Sequence, residues 1–528
     1  MNLGLVLVWR PNTTNSGAPT ASHISNTVAV GVAIAAGCVL VVAAHAWLHQ
    51  ILTIPNDPQR ADMLIVVQQG IRRMLQGKNP YTIYHVPWDA PLPYGPVLWA
   101  PYVVPFLLRA DIRFVTVVGE IFVPVACALG AVTNATGGRW FTTAAWMSVL
   151  AAVCFNPDLE RFASIGHTPV YWPLIALFAW LVATNRWDGA AIAMGLLVAA
   201  RTTMIAVVPV FLMAVLRHTR TNVLRRLALT ILAAVLPFLP FAIWDGPALS
   251  YALYGSYQNV MKKFVWASTT WVQHTIGITG LLLSNRLSGW VEAVQIVVML
   301  AVYATCWRAL RHDRPPLPWM ALSLLAFSMT TLWPVTYIYF DVFLLLICAA
   351  LAGTPWLERA RHAFGAWLGT LAAASLLVIA TAWAIVPGDS TLDVGTPAAR
   401  PFLRSGFAAD EREGERTFAW VEGRHASIVV PRRSSRRATV DLECLPFLPS
   451  EGSTQQMSAV LNGVPIGTAV LAGAWSRVSF TAPPPAWQIG VNELELFLSS
   501  DVSPAQSGLG ADSRQLSVAV DRLTIQSR

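Results

Sequence analysis

DPQRADMLIVVQQGIRRMLQGKNPYTIYHVPWDAPLPYGPVLWAP, residues Asp57–Pro101, lies between the first long apolar run, Val28–Leu48, and the second. Connections longer than about 12–15 residues are as a rule functional or disordered, and this one has the periodicity of a folded element. From Asp62 to Gln76 the apolar residues Met63, Val67, Gly70, Ile71, Met74 and Leu75 recur at helical spacing, opposite Gln68, Gln69, Arg72, Arg73 and Gln76. The pattern predicts an amphipathic helix, 62–76, lying on a membrane surface inside an outer loop 51–94. Gly77 is placed to stop it.

Of 528 residues, 55% are hydrophobic and only 12% charged, about half the charged share of a soluble globular protein. The chain therefore reads as a polytopic α-helical membrane protein. Apolar runs able to cross about 30 Å of hydrocarbon fall near 28–50, 95–108, 113–134, 140–156, 168–185, 189–216, 227–244, 289–307, 317–333, 337–353 and 364–386, about eleven spans. The runs at 95–108 and 140–156 are short enough to be tilted, broken or re-entrant. Residues 1–27 form a polar leader with no compact basic start, which predicts a retained anchor with a cytoplasmic N-terminus.

Lys and Arg in the connections set orientation. With the N-terminus inside, Arg109–Arg113, Asn156–His167, Arg217–Arg226, Arg308–Arg314 and Arg359–His362 become inner loops, and Thr133–Trp140 and Asn185–Asp188 outer ones. Asp57–Pro101 is then extracytoplasmic, in a multi-pass protein of the plasma membrane. Its cations Arg60, Arg72, Arg73 and Lys78 run against the rule and call for an anionic ligand or lipid phosphates.

Past Val386 the pattern changes from helical to alternating. Residues 387–405 read as a Pro, Gly and Ser linker, and 406–528 as a β-sandwich or jelly roll outside the cell, with strands in HASIVVP, ATVDLECL, SAVLNGVPIGTAVL, SRVSFTAP, NELELFLS and LSVAVDRLTIQ. Asn462-Gly463 marks a hairpin turn. Only Cys444 of the six cysteines lies here, so no disulfide framework is expected. Trp420, Trp475 and Trp487 form either a sugar-binding face or part of the core.

An acid after the first span, an amphipathic helix, the Gly77-Lys78-Asn79-Pro80-Tyr81 turn and the Tyr94-Gly95-Pro96 step together resemble the GT-C class of membrane glycosyltransferases, and glycosyltransferase family 87 in particular. Further on, SIGHTPV (Ser164–Val170) is similar to that family's Gly-Gln-x-Asn step, with His167 in place of Gln. GLLVAARTTMIAVVPVFL is similar to its span with a central cation, here Arg201, and QHTIGITG (Gln273–Gly280) to one of its polar segments. WPVTYIYF (Trp333–Phe340) resembles a segment in which the family often has His where this chain has Tyr339. Gly406–Pro431 resembles the opening of jelly-roll modules attached to other sugar-handling membrane enzymes. The resemblance spans roughly residues 28–350 and implies a GT-C-like catalytic domain at 28–386. It further implies a polyprenyl-phosphate sugar as donor, mannosyl or arabinofuranosyl among others, and a glycolipid or polysaccharide acceptor of the cell envelope.

Such a transfer needs a base for the acceptor hydroxyl and a cation for the departing phosphate. Asp62 is the first choice of base, Asp57 the second and Asp89 a distant third; the plain alternative for Asp62 is a helix N-cap. Arg201, in mid-span, faces either the donor phosphate or a structural partner such as Glu120 or Glu292, and Asp341 invites the same two readings. Tyr81, Tyr94, His167, Gln273, His274, Tyr339, Lys262 and Lys263 complete the candidate substrate-binding set, with lipid headgroups the competing role for the two lysines. No Asp-x-Asp pair, no His or Cys cluster at ligand spacing and no Gly-rich nucleotide loop is present, so a metal-independent reaction without a cofactor is expected.

The formal charge of +8 is assigned to inner loops and phosphate contacts, and no nucleic-acid partner is expected. Two other classes fit a polytopic chain: a transporter or flippase of lipid-linked sugars, for which matching broken spans are the signature, and a non-catalytic scaffold for envelope assembly.

Overall fold

The computed structural model describes residues 23–56, 62–85, 89–166, 168–218, 222–352, 363–450 and 452–527. Asp57, Arg60, His167 and the Asp62 side chain lie outside the described residues. A helical region is followed by an all-β domain, each with its own apolar core.

The first helix, His23–Thr53, ends with backbone carbonyls that have no partner within the helix. Arg113 supplies one: its Nη1 donates to the Ile54 carbonyl at 2.6 Å and its Nη2 to that of Ile51 at 2.9 Å. The same guanidinium is held by Asp111, Nη2 to Oδ2 at 2.6 Å, with both side chains buried. Arg113 starts the next long helix, Arg113–Thr136, which packs back along the first. The connection 54–112 thus leaves and rejoins the bundle at one end.

This corrects the expected course of the chain. Residues 95–108 do not form a span but a short broken helix, Pro96–Trp99, Ala100–Tyr102 and Val103–Leu107, with prolines at 96, 101 and 105 interrupting regular hydrogen bonding. Arg109–Arg113 sits at the loop end of the bundle, not at the opposite one. So does Asn156–Gly166, since Gln50 Nε2 donates to Glu160 at 3.0 Å.

The run 189–216 is likewise two elements rather than one. Helix Trp187–Ala200 stops at Arg201, whose φ of −142° and ψ of 120° are extended, and after a 3-10 turn helix Val208–His218 folds back. His218 stacks on Trp187 with ring centroids 5.4 Å apart. Asp188 meets Arg225 and Arg226, each at 3.0 Å. Asn185–Asp188 and the described residues Arg217, Arg225 and Arg226, expected on opposite sides, therefore share one end. Two changes of course cancel, so the later alternation is kept: Arg217 pairs with Asp313 at 3.1 Å at that same end.

Among the described residues four helices are long and apolar enough to cross a membrane, Thr27–Thr53, Arg113–Thr136, Ser288–Arg311 and Phe364–Ile385; the pair Val223–Val235 and Leu239–Gly255, bent by 64°, makes a fifth if taken as one span. The remaining apolar helices run 10–17 residues, shorter than the roughly 20 residues a full crossing needs.

The all-β domain begins earlier than the alternating pattern suggests. After a hairpin in the outer loop, β1 (Ile83–His85) and β2 (Asp89–Pro91), the chain returns to strands with β3 (Ser390–Asp393) and β4 (Leu403–Ser405), both inside the expected linker. They are followed by β5 (Phe407–Glu413), β6 (Arg416–Glu422), β7 (His425–Arg432), β8 (Ala438–Pro446), β9 (Gln455–Leu461), β10 (Val464–Leu471), β11 (Ser476–Ala482), β12 (Gly490–Leu498) and β13 (Leu516–Ser527). Two antiparallel sheets, ordered β10-β9-β12-β7-β4 and β11-β8-β13-β6-β5 with β3 on β13, face each other across the core as a sandwich. The β9–β10 hairpin turns at Asn462-Gly463, both at positive φ as a type I′ turn requires.

The sandwich docks on the loop end. Asp111 N–H donates to the Ile489 carbonyl and Ile489 N–H to the Arg109 carbonyl, both at 2.7 Å. Arg109 reaches this geometry with φ of 51°.

Arg113→Ala leaves Asp111 as a buried, uncompensated charge and is expected to cost about 3–5 kcal/mol, read as a lowered unfolding temperature of the detergent-solubilised protein; an unchanged midpoint refutes the role given to this pair. In sealed vesicles, Asn185→Cys and Asp313→Cys are expected to react with an impermeant maleimide from one face. Arg109→Cys should react from the other, together with Gly508→Cys. Labelling of Arg109→Cys and Asn185→Cys from the same face overturns the chain course given above.

Candidate functional site

The outer loop is a folded unit built on helix Asp62–Leu75. Leu64, Val66, Val67 and Ile71 are buried, while Arg72 is exposed and Gln68 and Gln69 are half-buried. The apolar face thus packs into the core of the helical region, whereas the sequence placed the helix on a membrane surface. Past Gly77 the Asn79 side chain accepts from Tyr81 N–H at 2.9 Å, and Arg73 Nε donates to the Asn79 carbonyl at 2.8 Å, which fixes the turn.

Tyr81 and Tyr94, expected to meet substrate, are buried and hydrogen-bonded to each other. The Tyr81 hydroxyl donates to the Tyr94 carbonyl at 2.9 Å and accepts from Trp99 Nε1 at 3.2 Å, and both tyrosines are buried. Burial raises the Tyr81 phenol and pushes that of Tyr84 up to about 12, so both remain neutral hydrogen-bond donors. The Tyr84 hydroxyl donates to the Pro80 carbonyl at 2.5 Å.

The Tyr94-Gly95-Pro96 step carries the loop into the bundle. A methyl group on Gly95 would run into the Ala199 carbonyl, so only glycine permits this approach. Ala199 precedes Arg201 by two residues, which places the loop against the break in the Trp187–Ala200 hairpin.

Arg201 is nearly buried, and its Nε lies 4.0 Å from Asp341 Oδ2. Its guanidinium sits over the Tyr337 ring, 5.4 Å from the centroid. Asp341 also accepts from the Tyr171 hydroxyl and, at 2.9 Å, from Trp172 Nε1. The partner of Arg201 is therefore neither Glu120 nor Glu292, the two that sequence spacing offered. Glu292 instead takes Lys262 at 2.8 Å. Glu120 is buried, and neither of its oxygens has a hydrogen-bond partner among the described residues.

Tyr171 and Trp172 follow directly on the SIGHTPV step. Gly119 packs against the Pro169 carbonyl there, six residues, or about 9 Å of helix, in from Arg113. The Arg201–Asp341 centre therefore belongs to the half of the bundle nearer the loop and the sandwich. Tyr171, Trp172 and Tyr337 were missed in the sequence because aromatic residues are common throughout it; only their adjacency to the quoted motifs marks them.

The remaining candidates lie further out. Gln273 ends the short helix Thr269–Gln273, and His274 Nδ1 pairs with the Thr270 carbonyl at 2.8 Å; both side chains are exposed. Lys263 is exposed beside the paired Lys262. Tyr339 reaches the Ser328 carbonyl at 3.5 Å and packs on Gly277, which joins the QHTIGITG segment to the helix that carries Asp341. The structure thus brings Arg201, Asp341, Tyr339 and the loop to one end, and leaves Gln273, His274, Lys262 and Lys263 at its margin.

In the sandwich, Trp487 is core: it is 1% exposed, with the Arg432 guanidinium 4.4 Å from its ring centroid. Trp420 and Trp475 are half-buried in a cluster with Phe418, and Arg416 covers the Trp475 ring at 4.5 Å.

No protein-family model and no curated protein matches the chain. Among solved structures the C-terminal domain is similar to a family 35 carbohydrate-binding module from Clostridium thermocellum, at 11% identity and a TM-score of 0.19, over 27% of this chain and 100% of that one. It is also similar to the carbohydrate-binding module CBM36 in complex with calcium and xylotriose, at 12% identity and a TM-score of 0.17, over 26% and 99%. A third is the CBM36-1 domain of a multidomain xylanase from the hindgut metagenome of Trinervitermes trinervoides, at 13% identity and a TM-score of 0.18, over 27% and 98%.

Breaking a buried ion pair from one side costs about 3–5 kcal/mol, whereas removing both partners costs less than the sum. Arg201→Met and Asp341→Leu are each expected to lower the unfolding temperature, and the double variant to recover a coupling of about 1–3 kcal/mol. Additive losses in the double variant rule out a direct interaction between the two.

Proposed function

We propose that this protein is an integral membrane glycosyltransferase that moves a sugar from a polyprenyl-phosphate donor to a glycolipid or cell-envelope glycan at the face where the sandwich sits. The observation that carries the reading is convergence: the acid-bearing loop seats its Tyr94-Gly95-Pro96 step against the helix break at Arg201, at the end that also holds the β domain. The resemblance of the loop to glycosyltransferase family 87 supports the donor class.

The chemistry asks little of the protein. Asp62, or Asp57 beside it in sequence, takes the proton of the acceptor hydroxyl as its oxygen attacks the anomeric carbon. The bond from that carbon to the phosphate oxygen breaks, and polyprenyl phosphate leaves with the electron pair. Arg201 is a nearly buried cation in this half of the bundle interior. With its partner Asp341 already engaged by Tyr171 and Trp172, it is held in place to balance the charge that grows on the phosphate. The short helices on either side of Arg201 suit a site that a lipid-borne sugar enters from within the membrane.

The test is sugar transfer from a panel of radiolabelled polyprenyl-phosphate sugars to endogenous glycolipid acceptors, in membranes holding the wild type, Asp62→Asn or Asp57→Asn. Transfer by the wild type and its loss by 100-fold or more in Asp62→Asn, at equal protein level, is expected. Loss in Asp57→Asn alone moves the base to that residue, and absence of transfer from every donor refutes the transferase reading in favour of a transporter or scaffold.

A further inference from the structure

Where the sandwich docks on the outer loop it leaves a cleft of about 550 Å³, within the range of small-molecule sites, about 300–1,000 Å³. Asn56, Gln68 and Arg72 line it from the membrane side, and Trp487, Gln488 and Glu493 from the sandwich. The cleft is held open by a fixed joint, the paired Asp111–Ile489 and Ile489–Arg109 hydrogen bonds.

Two of its lining side chains carry buried polar atoms with no partner among the described residues. Both amide atoms of Asn56 are in this condition, and so is Nε1 of Trp487, a residue only 1% exposed. A buried donor or acceptor left unmade costs about 1–3 kcal/mol, so such atoms at a cavity wall mark where a hydrogen-bonding ligand would be repaid in affinity. The lining also excludes most ligand classes. The amides of Asn56 and Gln68 can each donate and accept beside the cations Arg72 and Arg109, while the Glu493 carboxylate, which takes Ser427 at 2.6 Å and Arg404 at 3.5 Å, puts an anion on the sandwich wall. That mixed set matches vicinal hydroxyls, which donate and accept at once, better than a phosphate, which only accepts.

We propose that this cleft binds the glycan part of the acceptor, gripping a short neutral oligosaccharide between the sandwich and the helix Asp62–Leu75. The proposal rests on the transferase reading for its biological role but not for its binding chemistry. The helix that lines the cleft with Gln68 and Arg72 begins at Asp62, and Asn56 precedes Asp57. An oligosaccharide held here therefore lies against Asn56 and against the helix that begins at Asp62. The β domain acts as the second jaw of the site and not as a remote tether.

The experiment is a saturation-transfer NMR titration of the full chain in detergent with two probes, a linear manno-oligosaccharide and a linear arabino-oligosaccharide. Wild type is expected to bind at least one. The double variant Arg72→Gln/Gln488→Ala should weaken that binding tenfold or more. Trp487→Phe, which keeps a six-membered ring beneath Arg432 and removes the indole N–H with its five-membered ring, should weaken it severalfold. All variants are compared at wild-type unfolding temperature, so that loss of fold is not read as loss of binding. If neither sugar binds, or if binding is equal in wild type and variants, the proposal is overturned. Cleft-dependent binding without transfer from any donor would remove the transferase reading and keep the cleft. Transfer whose acceptor KM is unchanged in the cleft variants would do the reverse.

Discussion

The buried Asp111–Arg113 pair is the constraint on which the rest of the structure depends. Arg113 takes the open carbonyls at the end of the first helix, where a cation also meets the negative end of the helix dipole. Asp111 neutralises the guanidinium, and its own N–H reaches Ile489 of the sandwich. One short turn therefore fixes the return of the chain into the bundle, the closure of the outer loop and the docking of the β domain. A charge pair is costly to bury; here nearly every donor it brings has an acceptor already in place.

The centre around Arg201 follows a different logic. Extended backbone in the apolar interior exposes polar groups that lipid cannot satisfy, and it is tolerated only where protein surrounds it. The break at Arg201 is enclosed by the outer-loop step at Gly95, by the turn that carries Tyr171 and Trp172, and by the helix that carries Asp341. The three come from distant parts of the chain. Trp187–Ala200 packs on Val223–Val235 and Trp172–Ala183, and Val208–His218 on Val291–Arg311 and Pro316–Thr330, so the short helices beside Arg201 draw their stability from neighbouring helices.

Legibility in the sequence differed by element. The amphipathic helix, its stop near Gly77 and the Asn462-Gly463 hairpin were readable because each rests on neighbours within a few residues. The span 189–216 was not: an apolar run has the same composition whether it crosses or folds back, and Arg201 alone does not say which. Nor did anything local show that β3 and β4 belong to the sandwich, because their partners lie in β13 and β7, far along the chain. Tyr81 and Tyr94 were noticed for the right reason, their place in a distinctive turn, but their hydroxyl and carbonyl satisfy each other.

The sequence by itself determined that the chain has an apolar helical region with an ordered loop after its first helix and a β-rich C-terminal part, because hydropathy and periodicity are properties of short stretches. Only the tertiary structure decided which loops share an end, which acid answers Arg201, and that the sandwich closes over the loop to leave a polar cleft. Those outcomes depend on hydrogen bonds and ion pairs between residues as far apart as Arg201 and Asp341 or Asp111 and Ile489, and their geometry exists only once the helices have packed.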